Sequence, residues 1–149
     1  MKITTLLPAM MFISCVTVLT SCDDMTVKTG DGSEKVEADV NVTSETREVS
    51  TFNKISMEGV FNIILIQGNR ESIKVEAGKN IIPLVETTVE NNKLTVKIKD
   101  NTSISKMKKI NVYITFVDVA EVSSEGVGTL TCNKKLRFND LKLDLKGIG

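Results

Sequence analysis

"ISMEGVFNI" at residues 55–63 and "VSSEGVGTL" at 122–130 share one pattern: apolar, Ser, any residue, Glu, Gly, Val. "LDLKGIG" at 143–149 repeats the Gly-apolar-Gly close of the second stretch. The first pair of glycines is offset by 67 residues and the second by 21. Self-similarity at a fixed short period marks stacked repeat architectures. A period near 21 in β-rich segments predicts one coil of a β-solenoid. Gly59, Gly126, Gly128, Gly147 and Gly149 then mark turns where the backbone needs positive φ or close approach between coils. On that period Glu58 and Glu125, which precede the repeated Gly-Val, lie three coils apart, or about 14 Å at the ~4.8 Å strand spacing.

The flanking segments support an all-β chain. "KLTVKIK" sets Leu94, Val96 and Ile98 against Lys93, Thr95, Lys97 and Lys99. "INVYITF" sets Ile110, Val112, Ile114 and Phe116 on one face, and "LKLDLK" does so with Leu141, Leu143 and Leu145. Period-2 alternation is the mark of half-buried strands. "FNIILIQ" is apolar on both faces and predicts a strand covered on both sides. "SIKVEAG" and "LVETTVE" are further strands, with turn signals at Gly68-Asn69 and Asn91-Asn92. No segment carries a convincing helical period; "ISKMKKI" at 104–110 reads as a loop.

The N-terminus is organised differently. Lys2 precedes an apolar run from Leu6 to Leu19, then the small residues Thr20 and Ser21, then Cys22. This is the layout of a cleaved signal peptide over residues 1–21. Leu19-Thr20-Ser21-Cys22 resembles the lipobox of bacterial lipoproteins. The resemblance implies cleavage between Ser21 and Cys22, a diacylglyceryl group on the Cys22 thiol, and an acyl chain such as palmitate on the new amine. Two or more acyl chains anchor a protein stably where one barely does. Asp23 and Asp24 resemble the surface-export signal of Bacteroidetes-type lipoproteins. Residues 23–46 lack aromatics and are rich in Asp, Glu, Thr and Ser, which predicts a flexible acidic tether over 22–46. Its mean reach would be about 25–30 Å.

Composition excludes much chemistry. There are 19 basic and 19 acidic residues, and removing the leader takes only Lys2, so the mature chain has no basic excess to attract nucleic acid. Histidine is absent, which removes Ser-His and Cys-His nucleophiles and His-containing metal sites. Cys15 leaves with the leader and Cys22 takes lipid, so Cys132 has no partner and reads as a small core residue. No phosphate loop or other cofactor fingerprint is present. Phe52, Phe61, Phe116 and Phe138 read as core, and Tyr113 as outward-facing. Glu58 and Glu125, at three coils, are too far apart for glycoside cleavage. No catalytic set, metal or cofactor is therefore expected.

The order "REVSTFNKISMEGVFNIILIQG", "SIKVEAGKNIIPLVETTVENNKLTVKI" and "KINVYITFVDVAEVSSEGVGTL" resembles the head GIN domain family, the auto-transporter adhesins of Bacteroidetes lipoproteins. The carrying motifs are the Phe-x-x-Ile entry ending in a Gly turn, Asn-Ile-Ile-Pro before Lys93-Leu94-Thr95-Val96, and Val112-Tyr113-Ile114-Thr115 leading to a Val-Ser-x-x-Gly turn. The resemblance spans residues 47–149. It implies a right-handed, mostly parallel β-helix-like solenoid. The lipobox, the tether, the repeat and the lack of catalytic residues together predict a lipid-anchored outer-membrane protein of adhesin type with a glycan or protein ligand. Relatives continue through further Gly-turn coils, whereas this sequence stops at "LKGIG", which reads as a naturally short or truncated solenoid. The last strand, Leu141 to Leu145, has no cap after it, so poor order or self-association through this edge is expected. The alternative reading is a structural envelope protein that self-associates without an external ligand.

Overall fold

The computed structural model describes residues 27–28, 33–106 and 109–148. Ser21, Cys22, Asp23, Asp24 and Gly149 lie outside them. Among the described residues the chain is all-β, with one 3-10 turn at Ile82–Leu84 entered through Pro83. The strands are β1 (Val27–Lys28), β2 (Glu34–Glu37), β3 (Val42–Arg47), β4 (Lys54–Gln67), β5 (Ser72–Gly78), β6 (Val85–Glu90), β7 (Lys93–Ile98), β8 (Thr102–Ser105), β9 (Asn111–Phe116), β10 (Glu121–Cys132) and β11 (Lys142–Ile148).

The long strand β4 organises the main sheet, whose order is β11-β10-β4-β9-β5-β3. Along one edge its first half pairs with β7 and its second half with β9, both parallel. Along the other edge it pairs parallel with all of β10, from Glu121↔Lys54 to Cys132↔Leu65. β11 continues the parallel stack, from Glu121↔Lys142 to Val127↔Ile148. Antiparallel additions complete the sheet: β5 on β9, β3 on β5, and β6 on β7. Asn91 and Asn92, both at positive φ (49° and 60°), close the β6–β7 hairpin. A separate sheet runs β1-β2-β8. The sheets are open.

The alternation of the sequence becomes an inside and an outside. Leu94, Val96, Val112, Ile114, Phe116, Ile73 and Val75 are fully buried. They are joined by Ile55, Met57, Phe61, Ile63 and Leu65 of β4. Each such side chain contributes about 1.5–3 kcal/mol by leaving water.

The repeated glycines are placed differently from the expectation. Gly59, Gly126, Gly128 and Gly147 sit inside β4, β10 and β11, not in turns between strands. Their φ values run from +129° to +147°. A Cβ on Gly126 would lie 2.0 Å from the Gly59 carbonyl oxygen, one on Gly147 1.8 Å from that of Gly126, and one on Gly128 1.8 Å from that of Phe61. These strands therefore pass one another with backbone where a side chain would stand, a close approach open only to glycine.

Four other expectations are corrected. Gly126 pairs directly with Gly59, so an offset of 67 is one step of the stack, like the offset of 21 to Gly147. The 53 residues between β4 and β10 do not build further coils over β4; most of them form β5, β6, β7 and β9 on its far edge and β8 of the second sheet. Residues 34–37 and 42–46, read as tether, lie in strands β2 and β3. β3 gains order by backbone pairing to β5, and the half-buried Arg47 donates to the carbonyls of Val85 (2.5 Å) and Ile82 (2.9 Å). The "FNIILIQ" segment is buried on one face only, with Ile66 exposed. Cys132 is exposed at the end of β10, because the inner face opens there.

The glycine ladder predicts an order of sensitivities. Gly126→Ala drives a Cβ into backbone and should cost about 3 kcal/mol or more. Gly59→Ala shares the positive φ but meets side chains, the Phe61 ring at 3.2 Å and Ile98 at 3.7 Å, and should cost about 1–2 kcal/mol. Urea denaturation of the two variants measures the difference.

Candidate binding surface

Three columns of side chains run across the outer face of β7, β4, β10 and β11, set by the shared register. One reads Lys93, Lys54, Glu121, Lys142; the next Thr95, Ser56, Ser123, Asp144; the third Lys97, Glu58, Glu125, Lys146. Glu121 lies between two lysines, 3.1 Å from Lys142 and 3.7 Å from Lys54. Its carboxyl is held below the usual value of 4.5, first by the hydrogen bond from Lys142, then by that ammonium's charge, with Lys54 acting the same way and burial opposing. Lys97 is raised, chiefly by its 2.9 Å hydrogen bond to Asp100, with Glu86 and Glu58 adding attraction. Ser123 donates across the stack to the Ile55 carbonyl (3.2 Å).

Glu58 and Glu125 are thus direct neighbours, about 4.8 Å apart strand to strand rather than about 14 Å. A spacing of about 14 Å holds only for coils of uniform length, and the 67 residues from Gly59 to Gly126 span a single step. Adjacency does not make them a hydrolytic pair. Both project from the same exposed face, beside Lys97 and Lys146, and line a shallow polar depression of about 260 Å³. Carboxyls that cleave a glycosidic bond flank it from two sides. Among the described residues no three Asp, Glu or Cys side chains gather as a metal-binding set.

The inner face differs. Its columns are Ile55–Val122–Leu143 and Met57–Ser124–Leu145, followed by Gly59–Gly126–Gly147. Ile55 and Val122 are 1% and 0% exposed, whereas Leu143 and Leu145 are 54% and 58% exposed. The leucines of β11 alternate as expected but, among the described residues, have no layer over them. A groove of about 400 Å³ runs along this face, lined among others by Phe61, Gly128, Leu130, Leu145 and Ile148. The sequence marked its glycines but not the groove, because Leu143 and Leu145 carry the same pattern as a buried strand. Phe52, Phe61 and Phe116 are buried, and Phe138 stacks on Phe116 at 5.9 Å. Tyr113 is half-buried on the outer face, with the Lys74 ammonium 5.0 Å from its ring centre.

The acid limit of the charge ladder is testable. Because the Glu121 pKa is lowered on folding, its contribution is present above the ordinary glutamate range and is lost as pH falls through the lowered folded value. Lys142→Gln should return the Glu121 titration toward the ordinary range and move the loss to higher pH, as read by carboxyl chemical shifts against pH.

The fold is similar to that of known structures. The chain is similar to the crystal structure of a "putative adhesin" from Bacteroides fragilis, with 25% identity and a TM-score of 0.72 over 76% of this chain and 53% of that one. It is similar in fold to a "putative adhesin" from Parabacteroides merdae (21% identity, TM-score 0.67, 74% and 46% covered). A "putative lipid binding protein" from Parabacteroides distasonis shares the fold at 14% identity (TM-score 0.67, 74% and 48% covered). The chain spans about half the length of these structures. No curated protein matches it. The family model described as "Putative auto-transporter adhesin, head GIN domain" matches residues 51–149, and the chain belongs to that family.

Proposed function

We propose that this is a non-enzymatic lipoprotein of the cell envelope, displayed on the outer membrane surface, whose β-domain binds a glycan or protein ligand. The observation that carries the reading is family membership over residues 51–149, with solved relatives described as "putative adhesin". The outer face supports it by offering in-register ladders of Ser, Thr and charged side chains in place of a deep polar pocket. We read β4, β10 and β11 as rungs of a right-handed β-solenoid, supported by their parallel, in-register stacking. Cys22 is the lipid attachment residue, Ser21-Cys22 the cleavage point, and Asp23 and Asp24 the export signal.

A second reading is a structural envelope protein that self-associates without an external ligand. Sizing of the soluble domain and binding to arrayed glycans and extracellular matrix proteins separate the two. The adhesin reading expects a monomer with a selective ligand; assembly without one contradicts it. Cys22→Ala should abolish acyl labelling and membrane partition while leaving the fold intact. Retention of the variant in the membrane fraction would refute the anchor. Asp23→Ala with Asp24→Ala should lower cleavage by protease added to intact cells, and unchanged cleavage would reduce both to linker residues.

A further inference from the structure

We propose that residues 34–47 form a detachable strap. The segment lies in a peptide site built by β5, β8 and the connection from β5 to β6, and it leaves that site as a unit while the rest of the domain stays folded. Two side chains, Asn80 and Arg47, are its latches. The proposal rests on the contacts of this segment and not on the adhesin or anchor reading.

Burial separates the strap from the domain. Among the described residues, every fully buried hydrophobic side chain lies at Phe52 or beyond. None of residues 34–47 is fully buried; Val36 and Ala38 are partly covered by the core, and Val42 to Thr46 are exposed. The strap is therefore held mainly through its backbone. β2 pairs parallel with β8, from Glu34↔Thr102 to Glu37↔Ser105, and β3 antiparallel with β5, from Val42↔Gly78 to Arg47↔Ile73. Addition of an extended segment to sheet edges is a general mode of peptide recognition. Segments with few buried apolar contacts open at a lower free energy than the whole domain.

The latches sit at the two ends of β3. Before it, Asn80 grips the backbone that links β2 to β3. Its Nδ2 donates to the Glu37 carbonyl (2.7 Å), and its Oδ1 accepts from the Asp39 amide (2.9 Å). Gly78 permits this approach, because a Cβ there would lie 2.8 Å from the Asp39 carbonyl oxygen. After β3, Arg47 reaches from the strap into the domain. Its guanidinium donates to the carbonyls of Val85 (2.5 Å) and Ile82 (2.9 Å) and to the Thr87 hydroxyl (3.1 Å). Bonds from a charged donor are stronger than neutral ones, and a lysine cannot present the same fork. Once either latch is lost, β3 has no buried side chain to hold it.

Opening has a fixed stop. Phe52 is buried, the Asn53 amide donates to the Asn92 carbonyl (2.9 Å), and the Asn53 carbonyl accepts from the Ala120 amide (2.9 Å). Release frees the chain as far as this point. A chain held on its N-terminal side then gains up to about 45 Å of reach, at the ~3.3 Å per residue of extended backbone.

Native-state hydrogen exchange on the full 149-residue chain tests the proposal. The β5-paired amides of residues 42–47 should exchange together, about 100-fold or more faster than the paired amides of Val112 to Phe116. Asn80→Ala and Arg47→Ala should each speed the whole group about tenfold and leave Val112 to Phe116 unchanged. Arg47→Lys should speed it almost as much as Arg47→Ala. A fluorescent synthetic peptide of residues 33–50 reports the vacated site by anisotropy. It should bind the Arg47→Ala chain about tenfold more tightly than the unaltered chain, because more of the site is open. The same peptide carrying Arg47→Ala should bind that chain more weakly. Exchange of residues 42–47 only in one global step with Val112 to Phe116 would overturn the proposal. So would acceleration confined to the neighbours of each substituted residue, or equal binding of the peptide to the two chains.

Discussion

Everything about the stack follows from backbone passing backbone at Gly59, Gly126 and Gly147. A carbonyl oxygen of one strand lies where the Cβ of the next would stand. A single-residue slip would put Glu125 or Val127 at that point and turn every inward side chain outward, since side chains alternate along a strand. The glycines therefore fix the register of three strands drawn from distant parts of the chain. From that register come both surfaces: the apolar columns inside and the Lys–Glu–Lys ladder outside. The charges are set by the fold rather than the cause of it, because exposed ion pairs contribute at most about 1 kcal/mol each.

The strands themselves were legible. Alternation in "KLTVKIK", "INVYITF" and "SIKVEAG" corresponds to β7, β9 and β5, and Asn91-Asn92 marks a hairpin. The repeated Glu-Gly-Val also pointed to the residues that meet. Their spacing could not be converted into distance, because chain length between two rungs says nothing about where the intervening chain goes. Here it leaves β4 and returns to it as β7 and β9, on the far edge, before β10 forms.

Two other misreadings share a cause. The stretch before Arg47 has too few apolar residues to form a core, and composition alone made it a tether. β3 is ordered instead by backbone pairing to β5 and by one arginine reaching the carbonyls around Pro83, neither of which leaves a compositional trace. Leu143 and Leu145 look like core residues because alternation reports only which face a side chain takes. Whether anything covers that face depends on layers that a single strand does not encode. The groove beside β11 was invisible for that reason, while the glycines that shape it were not.

The central claim is that residue n of β4 lies beside residue n + 67 of β10, and that residue n of β10 lies beside residue n + 21 of β11. Interstrand backbone NOEs in the isotope-labelled protein test it most directly. The account predicts an unbroken series of contacts between Hα and amide protons linking Lys54–Leu65 with Glu121–Cys132, and Glu121–Val127 with Lys142–Ile148, with Gly59, Gly126 and Gly147 in one line. A series displaced by even one residue, or contacts from Gly59 to a strand other than β10, would contradict it.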